Sequence, residues 1–140
     1  MNRNLIILTV VVISLLVACQ STTPEPIDAT SVIDEYIAAI NAHDVEKALQ
    51  FVAEDAVFSP DGNRIKGKSA IRKFIEENVS QLISVERVGD YKVNGEQITW
   101  TERGKFKNPF PGGGPIEMVT NLEAFMQNGK IVSLTGTEVR

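Results

Sequence analysis

Hydrophobic spacing changes character along the chain, and each change marks a different kind of element. An apolar run from Leu5 to Val17, broken only by Thr9 and Ser14, gives way to Gln20-Ser21-Thr22-Thr23-Pro24-Glu25-Pro26, a polar stretch with nothing to pack. From Val32 onward, Val32, Ile33, Tyr36, Ile37, Ala39 and Ile40 recur at three- and four-residue spacing behind the N-cap candidates Asp28, Thr30 and Ser31. An amphipathic helix is predicted up to Asn41. Asp44 can cap a second helix carrying Val45, Ala48, Leu49 and Val52, and the link 41–44 is too short for anything but a tight turn. Ala56 to Phe58 read as a short strand ending in the turn cluster Ser59-Pro60-Asp61-Gly62-Asn63. Ser69 then offers a cap for a third helix with Ile71, Phe74, Ile75, Val79 and Leu82 on one face.

Beyond Ser84 the period becomes two. Strands are predicted near 84–93, 96–107, 116–127 and 130–139, separated by Asn94-Gly95, by Asn108 to Pro115, and by Asn128-Gly129. Asn-Gly pairs favour two-residue hairpin turns because both central residues of a type I′ turn need positive φ, so the second half reads as an antiparallel meander. The link from Asn108 to Pro115, with Gly112-Gly113-Gly114 between prolines, reads as a mobile loop and a candidate lid. Helices followed by antiparallel strands argue for an α+β domain with the helices covering one face of a curved sheet.

The N-terminus changes where such a domain would work. Met1 to Asn4 carry one positive side chain ahead of an apolar run of about 13 residues, shorter than the roughly 18 to 20 that cross a bilayer, which is the form of an export signal. Leu16-Val17-Ala18-Cys19 resembles the bacterial lipobox, in which the cysteine is acylated and becomes the new N-terminus. Cys19 is the only cysteine; with an ordinary signal peptide it would be a lone thiol in an oxidising compartment, and a thioether to lipid removes that problem. The expected organisation is a lipoprotein signal peptide over 1–18, an acylated Cys19 and polar tether over 19–27, and one domain over 28–140. The domain would lie outside the cytoplasm, held by lipid to the cell membrane or the outer membrane. Gln20 stands where an Asp would suggest inner-membrane retention in Gram-negative cells, so outer-membrane placement is allowed.

Charge and composition narrow the chemistry. The 14 Lys and Arg against 18 Asp and Glu give a net charge of −4, and the basic residues read as scattered, which argues against nucleic acid and against a polybasic membrane patch. The single histidine, His43, falls in an interhelical turn, so neither a His-rich metal site nor a Ser-His-Asp triad is expected. The triple glycine precedes no helix and makes no phosphate loop. No metal or cofactor is implied.

Three stretches, Val32 to Asp44, Phe51 to Phe58 and Gly67 to Phe74, together with the Asn128-Gly129-Lys130-Ile131-Val132 hairpin, resemble in order and spacing the nuclear transport factor 2-like superfamily. Within it they resemble the SnoaL-like group that includes polyketide cyclases and ketosteroid isomerase. The resemblance implies a cone: a curved antiparallel sheet packed on three N-terminal helices around an apolar cavity, suited to a small hydrophobic or amphipathic ligand. Tyr36 matches the tyrosine that in the isomerase hydrogen-bonds the substrate oxyanion, or else is a core tyrosine bonded to backbone. Asp61 stands one residue from the isomerase's base position, and the late acid position falls at Asn121 or Leu122, neither a carboxylic acid. The isomerase set is therefore incomplete.

Trp100 and Glu102 share one face of a strand; on the concave side they would form a general-base or cation-recognition site, and on the convex side a dimer or solvent surface. Asn121 and Glu123 pose the same alternative. Phe58, Phe74 and Met118 are candidate lining residues. A ligand-binding module is the leading expectation, ahead of a small enzyme of cyclase, isomerase or hydratase type using Tyr36 and a pocket carboxylate, and of a structural homodimer.

Overall fold

The computed structural model describes residues 28–139. The signal segment, Cys19 and the tether expected over 1–27 lie outside the described residues. The elements in chain order are α1 (Ala29–Asn41), α2 (Val45–Gln50), β1 (Val52–Pro60), β2 (Ile65–Lys66), α3 (Lys68–Gln81), β3 (Leu82–Asn94), β4 (Gln97–Phe106), β5 (Ile116–Gln127) and β6 (Lys130–Glu138).

Local chemistry accounts for the helix starts. Asp28 caps α1 by accepting from the Thr30 N–H at 3.0 Å, and Asp44 caps α2 by accepting from the Lys47 N–H at 2.9 Å. The third start differs from the sequence reading: α3 begins at Lys68 behind Gly67, whose φ of +86° suits glycine, and Ser69 lies inside the first turn instead of capping it. Helix α2 stops at Gln50, so Val52 opens β1, which is longer than the three residues its apolar run suggested. Strand β2 was not read at all: two residues carry no period.

One six-stranded sheet runs in the order β2-β1-β6-β5-β4-β3. The meander β3-β4-β5-β6 is antiparallel throughout, as expected, while β1 joins β6 in a parallel ladder. That ladder arises because β1 precedes α3 and the meander returns beside it, a pairing no local turn encodes. Asn128 and Gly129 both take positive φ in the β5–β6 turn. In the β3–β4 turn the central pair is Gly95-Glu96, with positive φ at the glycine, one residue later than Asn94-Gly95. Register shifts at Leu82/Ser84, Val88/Lys92 and Phe125/Met126 bend the sheet into its curve.

The helices lie in the concave side of that curve, where Ile33, Ile71 and Ile75 meet Ala56, Phe58, Ile98, Ala124 and Ile131, all at most 2% exposed. A polar clasp fixes α1 against β3: the Asn41 side chain donates to the Val85 carbonyl at 2.7 Å and accepts from its N–H at 2.8 Å. The 107–115 connection is a loop, as read, tied to itself by one side chain. Asn108 donates to the Gly114 carbonyl and accepts from the Phe110 N–H, and a side chain on Gly113 would collide with Asn108 at 2.2 Å. None of residues 107–115 borders the cavity described below, so the segment is a stapled turn rather than a lid.

Candidate functional site

The inner row of the sheet formed by Ile98 and Ala124 is packed shut, but the next rows outward are not. A cavity of about 240 Å³ opens there between α1, α3 and the concave side of β3–β6 and β1. Its inner end is Trp100 opposite Leu122, and its outer part is bordered by Phe106 and Met118. Gly136 borders it beside Leu122 and Thr120, and Gly104 gives room to the Phe106 ring, which a Cβ there would meet at 2.7 Å. Phe58, Phe74 and Met118 border the cavity.

Trp100 and Glu102 both face inward. The indole N–H donates to Glu102 Oε1 at 2.8 Å. Glu102 is half-buried, and what remains accessible of it opens on the cavity, directly across the β4–β5 ladder from Thr120. Burial in these apolar surroundings pushes its carboxyl up to about 7, and the indole hydrogen bond, which favours the ionised form, offsets part of that rise. Tyr36 reaches the same space from α1. Burial, and secondarily the charge on Glu102, raises its phenol above the usual range, so it stays a neutral O–H. Among the described residues the Tyr36 hydroxyl has no hydrogen-bond partner, yet no sealed-off side-chain polar atom is left unpartnered, so this hydroxyl opens on the cavity. Tyr36 is a member of the core cluster, and no backbone group among the described residues bonds its hydroxyl.

Behind Trp100 stands a second group that the sequence did not reveal. Tyr91, brought inward by the bulge around Gly89, packs edge-on to Trp100 with ring centroids 5.8 Å apart, and its hydroxyl donates to Asp34 at 2.7 Å. The Arg87 guanidinium lies 4.3 Å from the Tyr91 ring centroid and donates to the Gly89 carbonyl. Arg87 pairs with Glu102 in the β3–β4 ladder, but this cation is turned to Tyr91 and Asp34.

The remaining candidates separate. Asp61 sits at the cavity mouth with φ +46°, exposed, its carboxylate accepting from the Glu138 N–H at 3.2 Å. Asn121 is corrected: it lies on the convex side, accepting from the Thr101 hydroxyl at 2.8 Å, because Leu122 takes the inward position of that pair. Glu123 is likewise outward, bonded to Gln97. His43 is an exposed turn residue with φ +56°.

A family model described as a SnoaL-like domain matches residues 33–134, from the middle of α1 to β6. The chain belongs to the SnoaL-like domain family. Solved structures agree in fold. SalBIII, described as an epoxide hydrolase/cyclase-like enzyme in pyran ring formation in the polyether salinomycin, has a TM-score of 0.73 at 19% identity, covering 79% of this chain and 90% of that one. TerC, co-crystallized with polyporic acid, has 0.67 at 13%, covering 79% and 91%. A nuclear transport factor 2-like protein from Cytophaga hutchinsonii has 0.64 at 14%, covering 83% and 94%. At such identities the likeness is one of fold.

This SnoaL-like domain thus carries, in its cone, a pair of polar groups on an apolar wall. Phe106 could have been found from the period of two that links Trp100 to Glu102. Asn78 of α3, Thr120 and Gly136, which also border the cavity, carried no signal beyond a strand glycine.

Proposed function

We propose that the protein is an envelope-tethered binding module whose cone takes a small amphipathic molecule, apolar body against Phe58, Phe74 and Leu122, polar end at Tyr36 and Glu102. The observation that carries this reading is the Tyr36 hydroxyl, without a partner among the described residues, beside Glu102 at the closed end of a mostly apolar cavity. Polar groups placed sparsely in an apolar pocket orient a ligand; the volume is below the usual range for drug-sized molecules, about 300 Å³ and above, so the ligand is small. A panel of small amphipathic compounds followed by thermal melting tests it: ligands that fill the cone raise Tm with concentration, and a panel without any shift overturns the reading. The tether rests on the residues preceding Asp28. Nine residues from Cys19 to Ile27 span at most about 30 Å, enough to hold the domain just off a bilayer. Labelling with radioactive palmitate should mark the wild type and not Cys19→Ser, which should leave the membrane fraction.

A second reading, a small enzyme, draws on the same pair. Tyr36 would polarise a ligand carbonyl and Glu102, poised near neutral pH, would carry the proton. Solvent deuterium exchange next to the carbonyl of a bound ketone, abolished in Glu102→Gln, is its signature. A homodimer on the convex face draws less support, because polar cross-strand pairs such as Thr101–Asn121 and Glu86–Arg103 separate its exposed apolar side chains, Val88 and Phe125.

A further inference from the structure

The charges around the cavity are one-sided. Glu102 borders its closed end and Asp61 its mouth, and no Lys, Arg or His borders it among the described residues. The Asp61 carboxylate is engaged by the Glu138 N–H, whereas Glu102 has only the indole N–H on Oε1. The cation that the strand ladder sets opposite Glu102, Arg87, is held away by the Tyr91 ring, the Gly89 carbonyl and Asp34. A carboxylate in an apolar pocket without a counter-charge is costly, and a ligand of opposite sign offsets that cost, whereas an anionic ligand compounds it. The surroundings suit a cation in a second way. Aromatic side chains of Tyr36, Phe58, Phe74, Trp100 and Phe106 border the cavity, and aromatic walls attract ammonium groups through their quadrupoles.

We infer that the ligand is a protonated amine on an apolar, aromatic-sized body, its ammonium donating to the free oxygen of Glu102 and to the Tyr36 hydroxyl beside the Trp100 indole. The inference rests on the binding reading above and names the chemical class within it. The indole N–H bond distinguishes this class from a neutral carbonyl ligand: it stabilises the ionised carboxylate, which an ammonium needs, and opposes the protonated acid, which a carbonyl would need.

The groups that face Glu102 from each neighbouring element set the pH response. Tyr36 comes from α1, with Asp34 further out on the same helix; Arg87 and Tyr91 from β3; Trp100 from its own strand; Thr120 from β5; and Glu138, exposed, ends the same row on β6. Asp61 lies at the mouth and Asn78 on α3. Of the groups bordering the cavity, Glu102 is the one shifted into the neutral range. Affinity for an amine should therefore rise with pH, up to tenfold per unit below about 7, and level off above it.

The test uses three probes of matched size on the full chain in detergent: 2-phenylethylamine, 2-phenylethanol and 3-phenylpropanoate, titrated calorimetrically from pH 5.5 to 8.5. The amine should bind at least tenfold tighter than the alcohol at pH 8, with no measurable binding of the carboxylate. Glu102→Gln should lower amine affinity at least tenfold, and the convex-face variant Glu117→Gln should change nothing. Should Glu102→Gln fail to fold, the pH profile of the wild type decides. Amine affinity that falls with pH, or an alcohol or carboxylate that binds as tightly as the amine, overturns the inference and leaves the binding reading standing. If no probe binds and the wider panel gives no thermal shift, both fall together.

Discussion

Strand β4 presents two contrasting faces to two environments. On its convex side Arg103 pairs with Glu86 at 3.1 Å, Lys105 with Glu117 at 3.2 Å, and Thr101 with Asn121. On its concave side, one residue away in each case, Trp100, Glu102 and Phe106 border empty volume, and the carboxylate there has no cation against it. A glutamate outside costs little because water and a neighbouring lysine or arginine solvate it. The same residue type inside is held at a cost in stability, on a wall that also carries the strand glycine Gly136. Features that local folding physics disfavours, gathered on one wall of one cavity, are what a binding or catalytic site looks like energetically.

That contrast can be broken by experiment, beginning with the largest effect. Ile98→Ala, on the concave side where packing is complete, should lower unfolding free energy by about 2–5 kcal/mol, whereas Thr99→Ala on the convex side should stay within about 0.5 kcal/mol; urea denaturation of the two would show it. Equal costs would mean the faces do not differ.

The second effect is electrostatic. Below pH 4.5 Glu102 is protonated whether folded or not; between 4.5 and about 7 the unfolded chain releases a proton that the fold retains, so stability falls as pH rises. Above 7 the full penalty, about 3 kcal/mol, is in place. The stability of Glu102→Gln relative to wild type should therefore climb by about that amount from pH 4.5 to 8, and a flat difference would show Glu102 to be solvated like its outward counterparts.

Smaller effects sharpen the picture. Gly104→Ala forces the Phe106 ring aside and should cost about 1 kcal/mol while altering ligand affinity, because that ring borders the cavity. Arg103→Ala, removing a pair whose partners are both substantially exposed, should cost about 0.2–1 kcal/mol and vanish in high salt. A cost above that range would make the convex face more than a solvated surface.

Much of the fold was legible because its signals are local. The caps Asp28 and Asp44, the helical period of Val32 to Ile40 and the Asn128-Gly129 turn act within a few residues, and the structure uses them as read. What was not legible depends on distant partners. The parallel β1–β6 ladder, strand β2, the Asn41–Val85 clasp and the Asn108 staple are each formed by groups whose own neighbours say nothing of them. Asn108 ties the expected loop to itself with two hydrogen bonds, which composition cannot show.

The candidate site divides along the same line. The sequence alone determined that Trp100 and Glu102 share a face, that Asn121 and Leu122 do not, and that Tyr36 lies on the apolar side of its helix, because side-chain direction follows from backbone period. Which face is concave was decided only when α1 and α3 packed on one side of the sheet. That choice set Glu102 inward and Asn121 outward, brought Tyr36 beside Glu102, and turned Arg87 away to Tyr91. Period is a property of one strand; burial, and with it the raised proton affinity of Glu102, is a property of everything packed around it.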